Sequence, residues 1–266
     1  WKHEMEQLSL DDALTFYKKF YAPNNAILVV AGDVDPQEVK TLAETYYGVL
    51  APTEGLELRM RPQEPPHRGE RRLEFADPRV AQPYVIRTYL APERDQGDQK
   101  TAAALTLFAE LLGGDAATSY LGRKLQFEEQ KAVYTSAFYS AQNLDDTTFG
   151  LVIVPTEGVS LQDAESAMDE TVAAFLEEPI DLEQLESLKL QLRASQIYAK
   201  DNVQSLARRY GSALTSGLTV QDIQDWPEVL QAVTAEDILA AGRAVLDRNT
   251  AVTGYLKRAN AMEVSQ

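Results

Sequence analysis

The 266 residues include 44% hydrophobic residues, 14 Gly and 12 Pro, enough apolar side chain for one large or two modest folded domains and not the composition of a disordered chain. With 41 acidic against 25 basic residues the formal charge is −16, which argues against unassisted binding to nucleic acid or an anionic membrane, since both need positive surface to release counterions. The absence of cysteine excludes disulfides, thiol catalysis and Cys-ligated zinc, and the sequence shows neither a membrane-spanning apolar run nor a signal peptide.

In chain order, a helix opens at Ser9, whose hydroxyl and the acid three residues on, Asp12, form a variant of the capping box. It ends near Pro23-Asn24-Asn25, and Ala26–Val30 reads as a strand. A helix from Asp35 to Tyr47 follows, with Val39, Leu42, Ala43 and Tyr46 on one face. Residues 50–69 hold Pro52, Pro62, Pro65 and Pro66 with Arg59, Arg61 and Arg68. They read as an extended linker, because proline lacks the donor that a helix or a ladder needs. The predicted domain boundary is there, dividing 1–66 from 67–266.

Beyond the linker, strands are predicted at Arg72–Phe75 and Gln82–Tyr89, then a helix at Lys100–Leu112 stopped by Gly113-Gly114. A further helix takes Thr118 to about Glu129. Ala132–Tyr139 and Thr147–Val154 read as an antiparallel pair, and Leu161–Leu176, Leu182–Lys200 and Val203–Leu214 as helices. Strands grouped with strands and helices with helices predict an α+β fold, a largely antiparallel sheet packed against a layer of helices, and not a doubly wound parallel sheet.

The two ends of the chain resemble each other. The first 28 residues lie ungapped on the stretch beginning at Trp226, at an offset of 225, with the only two Trp residues, Trp1 and Trp226, coinciding. Asp12 meets Asp237, Leu14 meets Leu239, Asn24 meets Asn249 and Ala26 meets Ala251, while Ser9 meets Thr234 as N-cap hydroxyl. A period of this size means tandem homologous domains. With the second copy starting near Glu70, the first is expected to start roughly 155 residues upstream of Trp1, so 1–66 is expected to be the tail of a first domain.

The string Tyr21-Ala22-Pro23-Asn24-Asn25-Ala26, running to Val29-Val30-Ala31-Gly32-Asp33, closely resembles the end of the first domain of insulinase and mitochondrial-processing-peptidase family metallopeptidases. Leu111-Leu112-Gly113-Gly114, Ser119, Leu121 and Leu125, running to Tyr134, are similar to that family's second-domain glycine turn, helix and strand. The resemblance implies two homologous halves closing around an unfolded peptide. Zinc sits in the first half on an inverted H-x-x-E-H helix, where the metal activates water and polarises the scissile carbonyl. Zinc is therefore expected in the parent protein and no metal ligand in this chain, whose only histidines, His3 and His67, stand alone.

Active family members supply an Arg and a Tyr, seven residues apart, that hold the substrate backbone. Tyr134 matches the Tyr, but Phe127 stands seven residues before it, and Arg123 is the nearest upstream Arg. Tyr134 and Arg123 are the substrate-binding candidates, and no catalytic residue is assigned. The expected function is the C-terminal, peptide-enclosing half of a zinc metalloendopeptidase, inactive alone. Its partners are then the upstream homologous domain and a polypeptide substrate, in a homo- or heterodimer, and its location in a bacterium periplasmic or otherwise exported. The alternatives are a non-catalytic partner subunit of a family heterodimer, suggested by Phe127, and an unrelated α+β module that binds a basic ligand.

Overall fold

The computed structural model describes residues 2–56, 60, 61, 65 and 67–259. Trp1, Arg59, Pro62 and Pro66 of the readings above, with the 66/67 boundary on one side, lie outside the described residues. The helices are α1 Lys2–Met5, α2 Leu10–Phe20, α3 Pro36–Tyr46, α4 Lys100–Gly113, α5 Leu161–Glu177, α6 Leu182–Tyr198, α7 Val203–Thr215, α8 Val220–Ala232 and α9 Ala235–Val245. The strands are β1 Arg71–Asp77, β2 Tyr84–Ala91, β3 Ala132–Tyr139, β4 Thr147–Pro155 and β5 Val252–Arg258. They fall into two compact units: residues 1–63 with Ala199–Thr215, and 64–198 with 216–266.

In the first unit the Ser9 hydroxyl accepts from the Asp12 amide and the Asp12 carboxylate accepts from the Ser9 amide, a complete capping box on α2. Asp35 caps α3 by accepting from the Gln37 and Glu38 amides, with Pro36 in the first turn where its missing N–H costs nothing. Asn24 closes a long loop by donating to the Thr53 carbonyl and accepting from its amide. The strand expected at 26–30 is not a strand here: the backbone is extended at Ala26, but no ladder forms along 26–31 among the described residues. A strand is defined by its neighbours, and the first unit contains no other strand to pair with it among the described residues.

The second unit is a five-stranded sheet in the order β1-β5-β2-β4-β3. Only β1 and β5 run parallel, so the sheet is largely antiparallel as predicted. β5, the last of the described elements, lies between the first two strands, opposite Arg71–Asp77 on one side and Tyr84–Thr88 on the other. Alternate residues Val85, Tyr89, Phe149, Leu151, Ile153 and Tyr255 point to one face, where they pack on α4, α5 and α9. Phe108 of α4 is the hinge of that layer, in tilted ring contact with Phe149 of the sheet and Phe175 of α5. The sequence reading passed over α8, whose Pro227 breaks the local pattern; Arg94 stacks on its Trp226 ring at 4.0 Å and donates to the Asp222 carbonyl at 2.5 Å.

An ionic network crosses the same interface. Arg87 of β2, 2% exposed, donates to Glu165 and Asp169 of α5 and to Thr253 Oγ1 of β5 at 3.0 Å. Arg72 of β1 grips Glu165 through both terminal nitrogens, at 3.1 and 2.6 Å, and Tyr255 donates to the same carboxylate. Burial alone would raise the Glu165 pKa, but the hydrogen bonds from Arg72 and Tyr255 and the charge of Arg87 hold it below the usual value. Because the folded-state pKa is depressed, the unfolded chain binds the proton more tightly. The contribution of Glu165 is present above its unfolded pKa and is lost as pH falls through the lower, folded value.

Two outcomes follow. Glu165→Ala, which leaves buried Arg87 with Asp169 as its one carboxylate partner and removes the acceptor shared by Arg72 and Tyr255, is expected to destabilise the second unit by roughly 1–3 kcal/mol, measured by urea unfolding at pH 7. Glu165→Gln is expected to flatten the loss of stability of the wild type as pH falls below about 4.3, the unperturbed Glu value; an unchanged acid limb would contradict the network's role.

Candidate functional site

The two predicted site residues flank one corner of the sheet. α4 ends at Gly113, which lies so close to β3 that a Cβ there would stand 2.2 Å from the Ala137 amide nitrogen. The next turn is closed by Gly122, where a Cβ would meet the Ala116 carbonyl at 2.1 Å. Both contacts need glycine because backbone, not a movable side chain, is the neighbour.

Gly122–Glu128 then forms a π-helix, with the Glu129 amide donating to the Lys124 carbonyl at 2.9 Å, where the sequence predicts an ordinary helix over Thr118 to about Glu129. A π-turn inserts one residue and turns the following side chains relative to α-helical register, and no residue type specifies it. The chain leaves through Gln130 at a φ of 54°, in the left-handed region, and enters β3. The pairing with β4 is irregular between Ala132 and Tyr134.

Gln126 fixes this corner. With its carboxamide oriented to donate to the Val133 carbonyl (3.2 Å), its oxygen accepts from the Thr135 amide (3.1 Å) and hydroxyl (2.8 Å). One side chain thus satisfies two outward groups of the edge strand β3, as a neighbouring strand would. Thr135 is buried, so Tyr134 beside it points to the opposite face, and Val133 is exposed at the irregularity.

Tyr134 is 51% exposed and Phe127, on the π-turn, 59%. Tyr134 shares its face of the sheet with Ser136 and Phe138, opposite to the helices, where the Phe138 ring lies over Gly150 of β4. Arg123 is also exposed, but its charge acts on Tyr120, on the helical side. Burial first, and then the Glu178 carboxylate, push the Tyr120 phenol up to about 12, and Arg123 offsets part of this. Among the described residues neither the Tyr134 hydroxyl nor the Arg123 guanidinium makes a hydrogen bond, and none joins the two.

No group of three His, Cys, Asp or Glu side chains is placed to hold a metal among the described residues. His3 is exposed on the one-turn helix α1, and His67 is half-buried ahead of β1. No helix among them is long and apolar enough to cross a membrane. Among its described residues the corner presents the Tyr134 hydroxyl and the exposed apolar surface of Phe127 and Phe138.

Known proteins place the chain. A sequence model of the family described as "Peptidase M16 inactive domain" matches residues 7–192. A curated relative, "Zinc protease PqqE" of Helicobacter pylori, is 24% identical over 262 residues, covering 96% of this chain and 56% of its own length. A solved structure of a protease from the same organism superposes with a TM-score of 0.86 at 19% identity, covering 97% of this chain and 61% of that one. The first half of the periplasmic protease PqqL from Escherichia coli gives 0.74 at 17% identity, covering 95% and 55%. The chain spans little more than half the length of the curated relative it matches. The α+β sheet and the match over residues 7–192 together settle the family: the chain belongs to the peptidase M16 family, as its inactive domain.

Proposed function

We propose that residues 67–266 are the lid half of a zinc metalloendopeptidase, enclosing a polypeptide and presenting it to zinc held by a homologous half upstream, and that 1–66 is the tail of that half. The observation that carries the reading is the corner at Tyr134, exposed and held by Gln126 in a domain of the M16 inactive type. Tyr134 is assigned the contact with the peptide backbone, through a hydroxyl that has no competing partner. Arg123, whose guanidinium is equally unengaged, is the second residue assigned to substrate, on the helical side of the turn.

Binding energy at such a corner acts by orientation. A peptide held at several points reacts as if intramolecular, while the zinc of the other half supplies the activated water and the polarised carbonyl. The names of the relatives, a zinc protease and a periplasmic protease, support zinc in the parent protein and export to the periplasm. A second reading, a non-catalytic subunit paired with an active chain, is favoured by Phe127, which cannot supply the charge of the Arg in active members.

Metal analysis and peptide cleavage decide between them. The full-length polypeptide is expected to bind one zinc and cleave peptides, and the 266-residue chain to do neither. Stoichiometric zinc on the short chain would sink the lid reading; a full-length protein without zinc or cleavage would establish the subunit. In an active full-length protein, Tyr134→Phe and Arg123→Ala are each expected to raise KM about 2- to 10-fold, the worth of one hydrogen bond, with the larger effect at Tyr134. Unchanged kinetics in both variants would remove them from the site.

A further inference from the structure

Asp169, Val172, Ala173 and Leu176 stand at positions i, i+3, i+4 and i+7 of α5 and so form one stripe of the helix. Val172 and Leu176, with Leu151 of β4 and Leu246 at the end of α9, wall a pocket of about 160 Å³ on the helical side of the sheet. The Tyr134 corner lies on the opposite face. The polar end of the pocket is built from Arg87 and Tyr89, two residues apart on β2 and therefore on one face, together with Asp169 and Arg248.

The turn after α9 brings Arg248 to this place. The helix ends at its C-cap Leu246, and Asp247 starts a 3-10 turn by accepting from the Asn249 amide at 3.0 Å. The turn carries Arg248 over α5, where it donates to Asp169 at 2.7 Å. That is its one hydrogen bond among the described residues. Glu70 at 3.4 Å and Glu165 at 3.6 Å attract its charge without engaging its remaining N–H groups. Tyr89, 3% exposed, donates no hydrogen bond among the described residues. Burial pushes its phenol up against the opposing pull of Arg87, so it keeps its proton and remains a donor at neutral pH.

The lining carries two guanidiniums, Arg87 and Arg248, against the one carboxylate that they share, Asp169. Glu165 does not line the pocket and is taken up by Arg72 and Tyr255 as well as by Arg87. A cation entering here would meet two like charges, and a plain hydrocarbon would leave the donors unmet. An anion with an apolar body satisfies both ends.

We infer that this pocket binds a small monocarboxylate with an apolar body of roughly six carbons, its carboxylate accepting from Arg248 and Tyr89 and its body lying against Leu151, Val172, Leu176 and Leu246. A cavity of about 150 Å³ walled by apolar side chains takes up benzene, which sets the size of that body. Bound there, the acid ties β2, α5 and the turn after α9 together, so occupancy stabilises the packing of the helices on the sheet.

Titration of hexanoate and of benzoate into the full-length polypeptide at pH 7, followed by saturation-transfer NMR, tests this. Each acid is expected to bind with a Kd on the order of 1 mM, which about eight or nine heavy atoms can supply. Hexanol and hexylamine, which lack the anion, are expected to bind at least about 10-fold more weakly. Arg248→Met, which keeps the stem and removes the donors, is expected to weaken hexanoate at least about 10-fold, and Tyr89→Phe about 3- to 10-fold. Ala173→Trp, at an exposed position of the pocket wall, is expected to abolish binding while leaving the urea unfolding midpoint in place. No saturable binding of either acid up to about 20 mM would overturn the inference. A preference for hexylamine would do the same, as would undiminished binding in Ala173→Trp, the mark of an acid held elsewhere in the polypeptide.

Discussion

The sheet of the second unit closes through its last strand. Because β5 lies between β1 and β2, the first two strands have no direct ladder to each other, and the ladder of the edge strand β1 is with β5 alone among the described residues. Joining residues so far apart in sequence costs loop entropy that must be repaid at once by burial, which makes long-range pairing of this kind slow and cooperative. The repayment includes the Tyr255 hydroxyl of β5 donating to Glu165, Thr253 Oγ1 of β5 accepting from Arg87, and Ala251 fully buried. Removing β5 would cut β1 off from the rest of the sheet and leave Arg87 and Arg72 short of partners.

That constraint explains why the fold was largely legible in the sequence. Strands buried on one face alternate, and β2 did so plainly; the capping residues Ser9 and Thr234 marked helix starts within a residue. What could not be read was whatever depends on a partner distant in sequence. The run Ile27–Val30 carries every local signal of a strand and forms no ladder, because a strand is made by its neighbours. The π-turn at Gly122–Glu128, where Gly122 packs against the Ala116 carbonyl, leaves no periodic trace.

The candidate site was legible as a motif and not as geometry. The glycine turn and Tyr134 stand in the order the resemblance implies; the charge of Arg123 acts on Tyr120, while Tyr134 lies on the face of the sheet opposite the helices. Gln126 was missed altogether. A glutamine on a helix face is ordinarily a solvated residue, and only the exposed edge of β3 gives it a role. The proposed role of the corner, contact with a peptide, rests on the exposed Tyr134 and on Gln126, which fixes the edge strand beside it.

The measurement closest to that claim is photo-crosslinking in the full-length polypeptide, with a benzoylphenylalanine placed in turn at Tyr134 and at Leu190 of α6, both exposed. The account predicts that an unfolded peptide is captured from position 134 and not from 190. Capture from 190 alone, or from neither, would contradict the assignment of this corner to the substrate.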